Sequence, residues 1–343
     1  MSFRIILLLL TFFGLSSTSF GDDLFDAVSD GDLKLVKHLL ESGSNANMTN
    51  KSGITPISYA YDLDVIDLLL SHGANPNVPK TQSDRSVIEY MAERYGEARC
   101  ELRARCKEIV EKLRTAGADY SFYTALCMDD VEFVRHKFTK KTFRVNAPID
   151  RLFVPLRVAA RAGSVEVCKL LLELGADPDS FESYYGFPIM VDAVRHPPIV
   201  KLLIEHGANL RQRITFSGRR SGYWIVQNEA SPLHYAVKQG NVESVKLLVS
   251  AGVDPNAATV GGQTPLHIAV TCVRWEADLC AADDPPRSIA SAFEEIIRYL
   301  LENDASIRFT DKEGRTPLKL AEKLECPESI CQLLRDKEES GLR

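Results

Sequence analysis

Thr264-Pro265-Leu266-His267-Ile268-Ala269 opens a segment that this chain uses again and again. The same order of residue types stands at Ser231-Pro232-Leu233-His234-Tyr235-Ala236, and further upstream at Val154-Pro155-Leu156-Arg157-Val158-Ala159. From there the stretches Val154–Asp179 and Ser231–Asn256 align without a gap. Related prolines recur at Pro56, Pro155, Pro188, Pro232, Pro265 and Pro317. Pro155 and Pro188 are 33 residues apart, as are Pro232 and Pro265, and Pro56 precedes Pro155 by 99 residues. Self-similarity at a fixed period of this length marks a stack of small units rather than one globular core.

Each part of the unit has a physical reading. Thr or Ser before Pro is a helix cap followed by a proline at the first helical position, where no amide is needed. Leu and Ala then build a short first helix with a small face for close packing. Gly163 and Gly240 end it, because glycine accepts the left-handed conformation cheaply. The pattern Val-x-x-Leu-Leu-Leu predicts a second helix with one apolar stripe. A further glycine (Gly43, Gly73, Gly117, Gly175, Gly207 or Gly252) closes that helix, and the Asp- and Asn-rich residues after it are turn chemistry leading into a hairpin-like finger. One such helix pair cannot bury its own stripe, whereas stacked neighbours can.

Period and motif together resemble the ankyrin repeat family. That resemblance implies an all-α fold, a solenoid of about nine helix-turn-helix units with hairpin fingers over residues 22–336, followed by a charged tail at 337–343. It also implies a surface that binds another protein. The unit from Asp22 to Asn47 lacks the Thr-Pro start and reads as an N-terminal cap. The unit from Phe122 to Asn146 lacks both Thr-Pro and the closing Gly-Ala, and the frame alone demands it. Three insertions break the period. Residues about 93–104 and about 273–292 lengthen connections between paired helices, and residues about 211–229 lengthen a finger. In ankyrin-like stacks these two kinds of connection lie at opposite edges.

The finger insertion has the character of a binding surface. It carries Arg213, Phe216, Arg219, Arg220, Tyr223 and Trp224, and Trp275 lies in the insertion at about 273–292. Tyr, Trp and Arg are enriched at interface hot spots. The alternative is that the aromatics pack on the neighbouring unit and only the arginines face solvent.

No catalytic or cofactor pattern stands beside these: no glycine-rich phosphate loop, no Gly-x-Ser-x-Gly, no His-Glu-x-x-His. His234 and His267 are the signature histidines, which the resemblance makes structural. No cysteine pair has the two-residue spacing of a zinc site. We therefore expect no enzyme activity, no cofactor and no metal. The formal net charge is −6, which gives no general attraction to nucleic acid or anionic membranes. Residues 1–21 read as a cleavable secretory signal. Arg4 precedes the apolar run Ile5–Leu10, and Ser19 and Gly21 stand at −3 and −1 of a cleavage site before Asp22. An uncleaved anchor is the alternative. The expectation is an extracytoplasmic monomer, periplasmic or secreted, that binds a protein partner and leaves the membrane after signal cleavage. An exported effector acting on a host or neighbouring cell is the second possibility. All eight cysteines follow the leader, and Cys272 with Cys280 is the expected local disulfide, the two flanking a loop of seven residues. Asn47 and Asn50 each begin a glycosylation sequon.

Overall fold

The computed structural model describes residues 22–78, 86–97, 100–139, 143–149, 153–180, 187–213, 229–280 and 288–340. They fall into two compact units divided between Lys141 and Thr142. Among the described residues there are seventeen α-helices and one 3-10 turn, in nine consecutive pairs, with no extended strand.

The first unit holds four pairs. They are α1 (Asp22–Asp30) with α2 (Leu33–Glu41), the 3-10 turn Pro56–Tyr59 with α3 (Leu63–Ser71), α4 (Val87–Glu97) with α5 (Cys100–Thr115), and α6 (Phe122–Cys127) with α7 (Val131–Thr139). The second unit holds five. They are α8 (Pro155–Ala162) with α9 (Val165–Glu173), α10 (Ile189–Ala193) with α11 (Pro197–Glu205), α12 (Pro232–Lys238) with α13 (Val242–Ser250), α14 (Pro265–Cys280) with α15 (Ser288–Glu302), and α16 (Pro317–Lys323) with α17 (Glu328–Ser340). In this unit the first helices of successive pairs pack on one another from α8 through α16, and the second helices from α9 through α17.

The apolar stripe does what its spacing requires. Cys168 and Leu171 on α9, Ile199, Val200 and Leu203 on α11, and Val245 and Leu248 on α13 are fully buried. Each large apolar side chain so buried stabilises the stack by about 1.5–3 kcal/mol. Several of the first helices end in left-handed residues. Gly163 has φ 76°, and a Cβ there would sit 2.6 Å from the His196 ring. In the pair that lacks the glycine signature, Asp129 takes the same turn at φ 58°. Aspartate is among the few residues that tolerate this region.

Two expectations are corrected. The insertions at 93–104 and 273–292 are spent largely as helix, for α4, α5, α14 and α15 run 11, 16, 16 and 15 residues. Consequently Cys272 and Cys280 do not flank a loop. Both lie on the single helix α14. Eight residues of helix rise about 12 Å, beyond the reach of a disulfide between the two. Cys272 itself is buried.

Candidate interaction surface

The residue two after the opening proline forms a joint between neighbouring repeats. His234 is fully buried, and its Nδ1 accepts from the Ser231 amide at 3.1 Å. Its Nε2 donates to the Gln263 carbonyl, at the start of the next repeat, at 3.0 Å. His267 repeats the arrangement, with Nδ1 3.2 Å from the Thr264 amide and Nε2 3.0 Å from the Arg315 carbonyl. Both rings must be neutral, since Nδ1 is an acceptor. Burial pushes His234 down to about 4, and it lowers His267 in the same direction.

Arg157 stands at the same repeat position as these histidines. It too is buried, and its guanidinium donates to the Phe187 carbonyl of the next repeat. A cation there needs a counter-charge, and Asp192 on α10 supplies it at 2.7 Å. The Asp192 side chain keeps 18% of its surface open, yet the surrounding protein pushes its carboxyl up, with Arg157, Arg161 and Arg195 pulling the other way. In the first unit Glu89 serves a related end. Its Oε2 accepts from the Ser86 amide at 3.3 Å, and its Oε1 accepts from the Ser121 hydroxyl at 2.6 Å. Neither Arg157–Asp192 nor Glu89–Ser121 was foreseen. The aligned register of Arg157 with His234 was the available signal.

A second ladder runs through the turn after each second helix. Asn47 donates to the Gly73 carbonyl at 2.7 Å and accepts from the Asn75 amide at 2.6 Å. Asn77 does the same with Gly117 and Asp119, Asn146 with Gly175 and Asp177, and Asn256 with Asp304 and Ser306. Asn47 of the first sequon is therefore a rung of this ladder. Asn50 of the second sequon donates to the Tyr59 hydroxyl at 3.0 Å, and its Oδ1 accepts from the Ser52 and Ile54 amides.

Two of the described fingers are tight turns. Thr259 and Asp311 each close theirs through an amide donating to a carbonyl four residues on, at Gln263 and Arg315 respectively. Lys312 N donates to the Gly261 carbonyl at 2.9 Å, which joins two adjacent fingers. Burial would push the Asp311 carboxyl up, but hydrogen bonds from Arg315 and the Glu313 amide hold it below the usual range. Arg213 closes the base of the inserted finger. Its Nη1 donates to the Glu229 carbonyl at 3.1 Å and to the Ala258 carbonyl at 3.0 Å. Phe216, Arg219, Arg220, Tyr223 and Trp224 lie outside the described residues, and Trp275 is placed only as a position on α14.

Comparison with known proteins gives one consistent result. The family model described as ankyrin repeats in three copies matches residues 24–124 and 219–277, and the single ankyrin repeat model matches 152–181. Together they cover more than half of the chain. The transient receptor potential cation channel subfamily A member 1 homolog of Caenorhabditis elegans is 38% identical over 96 residues, 26% of this chain and 8% of that protein. The E3 ubiquitin-protein ligase KEG of Arabidopsis thaliana is 22% identical over 85% of this chain, again only 17% of its own length. This chain thus spans less than a fifth of either relative. Among solved structures, an ankyrin repeat domain from Acinetobacter baumannii matches with a TM-score of 0.51 and 25% identity, over 64% of this chain and 98% of that one.

Proposed function

Because the chain belongs to the ankyrin repeat family, we propose that it is a non-catalytic module that binds another protein in an extracytoplasmic compartment. Ankyrin repeats are protein–protein interaction modules. One observation carries the reading for this chain. The polar residues that would otherwise invite a chemical role (His234, His267, Arg157, Asp192 and Glu89) are engaged in joining one repeat to the next. What remains for function is the outer surface of the repeats. No helix among the described residues is long and apolar enough to cross a membrane.

The inserted finger, with Phe216, Arg219, Arg220, Tyr223 and Trp224, is the proposed contact. A core role would not require a longer finger, whereas reach toward a partner would. Arg213 anchors its base. The apolar run behind Arg4 and the Ser19–Gly21 site support export. Affinity capture with the mature chain as bait, from the extracytoplasmic fraction of its own cells, tests the reading. A single partner should be retained by the whole chain and lost on deletion of residues 214–225, with the melting temperature unchanged. Recovery of the native protein only from the cytosol, or retention by the deletion variant, would refute the compartment or the contact respectively.

A further inference from the structure

Two adjacent fingers of the second unit each present an apolar side chain to solvent. Val260 stands at the tip of the finger between α13 and α14 and is 65% exposed, and Phe309 stands in the finger between α15 and α16 and is 45% exposed. Backbone contacts fix the two fingers against each other. Lys312 N donates to the carbonyl of Gly261, the neighbour of Val260, at 2.9 Å. Gly262 lies so near the carbonyl of Thr310, the neighbour of Phe309, that a Cβ would come within 2.8 Å of its oxygen. Each finger is also tied within itself. The Gln263 amide donates to Thr259 Oγ1 at 3.2 Å, and the Asp311 carboxylate accepts from the Glu313 and Arg315 amides at 2.9 and 3.0 Å.

Single exposed apolar residues are ordinary on a protein surface. This pair is set apart by its register. Val260 and Lys312 each stand four residues before the opening threonine of the next repeat, so the fold accepts a charged residue where Val260 is. Phe309 and Ala257 each stand seven residues before that threonine, and Ala257 is buried while the far larger Phe309 is not. The core therefore needs neither side chain. Because the fingers are already fixed, a partner would lose little free energy to ordering them. The charge beside them is one-sided. Arg315 neutralises the carboxylates of Asp311 and Glu313, each at 2.6 Å. Lys312 is exposed and enters no ion pair among the described residues, so the fingers show a cation next to apolar surface.

We propose that Val260, Phe309 and Lys312 form a docking patch for a segment of the partner protein in which large apolar residues alternate with carboxylates. The proposal rests on the protein-binding reading above and names the partner's chemistry. The patch continues the proposed finger contact, because Arg213 at the base of the inserted finger donates to the Ala258 carbonyl, two residues from Val260. Apolar side chains of the segment cover Val260 and Phe309, and a carboxylate meets Lys312. Nucleic acid is disfavoured, since one cation amid apolar side chains offers a polyanion little and the chain as a whole carries a net charge of −6.

The test uses the full chain and a fluorescent twelve-residue peptide of alternating Leu and Glu, read by anisotropy. Val260→Asp/Phe309→Ser should weaken binding about tenfold or more, because both apolar contacts go and a new acid faces the peptide's own. Lys312→Glu should weaken it about threefold or more and remove most of its salt dependence. Leu174→Ser, at the exposed residue that follows α9, should leave it within about twofold. Melting temperatures of the variants serve to exclude unfolding, and Lys312→Glu alters no ion pair of the described residues. The proposal is overturned if either patch variant binds as tightly as the unaltered chain, if a peptide of alternating Leu and Lys binds equally, or if the Leu–Glu peptide does not bind. It is also overturned if sedimentation finds the unaltered chain dimeric and the double variant monomeric, since the patch would then belong to a second copy. Retention of the captured partner by the double variant would sink the patch and leave the binding function standing. Absence of any partner would sink the function itself.

Discussion

Within the second unit, the repeat that opens at Val154 and the one that opens at Ser231 make the same joint with different chemistry. In the later repeat a neutral imidazole links its own cap to the next repeat's carbonyl through two opposed nitrogens. In the earlier one a guanidinium reaches the equivalent carbonyl, has no cap residue beneath it, and needs Asp192 from the neighbouring helix. The imidazole is self-sufficient but vulnerable to acid. The arginine holds its charge at every relevant pH but makes the joint depend on a second residue. A repeat position is thus fixed by the bond it must make, and the residue type is free to vary if its electrostatic cost is met nearby.

The largest effect should come from separating Arg157 and Asp192. Arg157→Met leaves a desolvated carboxylate without its main partner and should cost about 4 kcal/mol in urea unfolding. The double variant Arg157→Met/Asp192→Ala should recover much of that loss, since both charges are then gone. If the double variant is no more stable than Arg157→Met, the pair is not what holds this joint.

Acid should break the other kind of joint. His234 in the fold stays neutral to about pH 4, while the unfolded chain protonates near pH 6.5. The unfolded state therefore binds more protons between these values. Stability from this group is full above pH 6.5 and declines as the pH falls toward 4, by up to roughly 3 kcal/mol. His267 acts in the same direction. Asp192 has the opposite sign, because its carboxyl is raised in the fold, so its contribution grows as the pH falls. His234→Gln should flatten the decline measured by melting temperature across this range. An unchanged slope in that variant would remove the histidine from the explanation.

The fingers give a third contrast. Gly262 has φ 72°, and a Cβ there would meet the Thr310 carbonyl oxygen at 2.8 Å. Gly314 has a similar φ but open space around it. Gly262→Ala should cost about 2 kcal/mol and Gly314→Ala about 1, both from the left-handed backbone and only the first from a clash. Equal losses would show that the fingers yield to each other freely. No larger than the Gly314 effect is the one expected at Asn256, where Asn256→Ala removes two hydrogen bonds of the ladder and should cost about 1 kcal/mol.

Much of this fold was legible in the sequence because helix pairs are written locally. Pro at the first turn, Gly at the last and an apolar stripe between them specify α8, α9, α12 and α13 without knowledge of their neighbours. Even the pair α6 and α7 followed from the frame, with Asp129 standing in for glycine. The insertions were read less well, since a break in the period does not say what fills it. Cys100-Glu101-Leu102-Arg103-Ala104 is made mostly of helix formers, and it extends α5 rather than a loop. The same oversight placed Cys272 and Cys280 on a loop. Asp192 was invisible for a different reason. It lies 35 residues beyond Arg157, at a position where the signature repeats carry a small residue, and nothing local connects the two.

The claim that the signature residues are joints, rather than chemistry, is tested most directly on the imidazoles themselves. Long-range nitrogen–proton correlation spectra of the uniformly labelled protein report which ring nitrogen carries the proton, and at what pH the second arrives. His234 and His267 should both appear as the Nε2-protonated neutral tautomer, and His234 should stay so until the pH approaches about 4. Titration of these two rings near pH 6.5, or a proton on Nδ1, would contradict the joint.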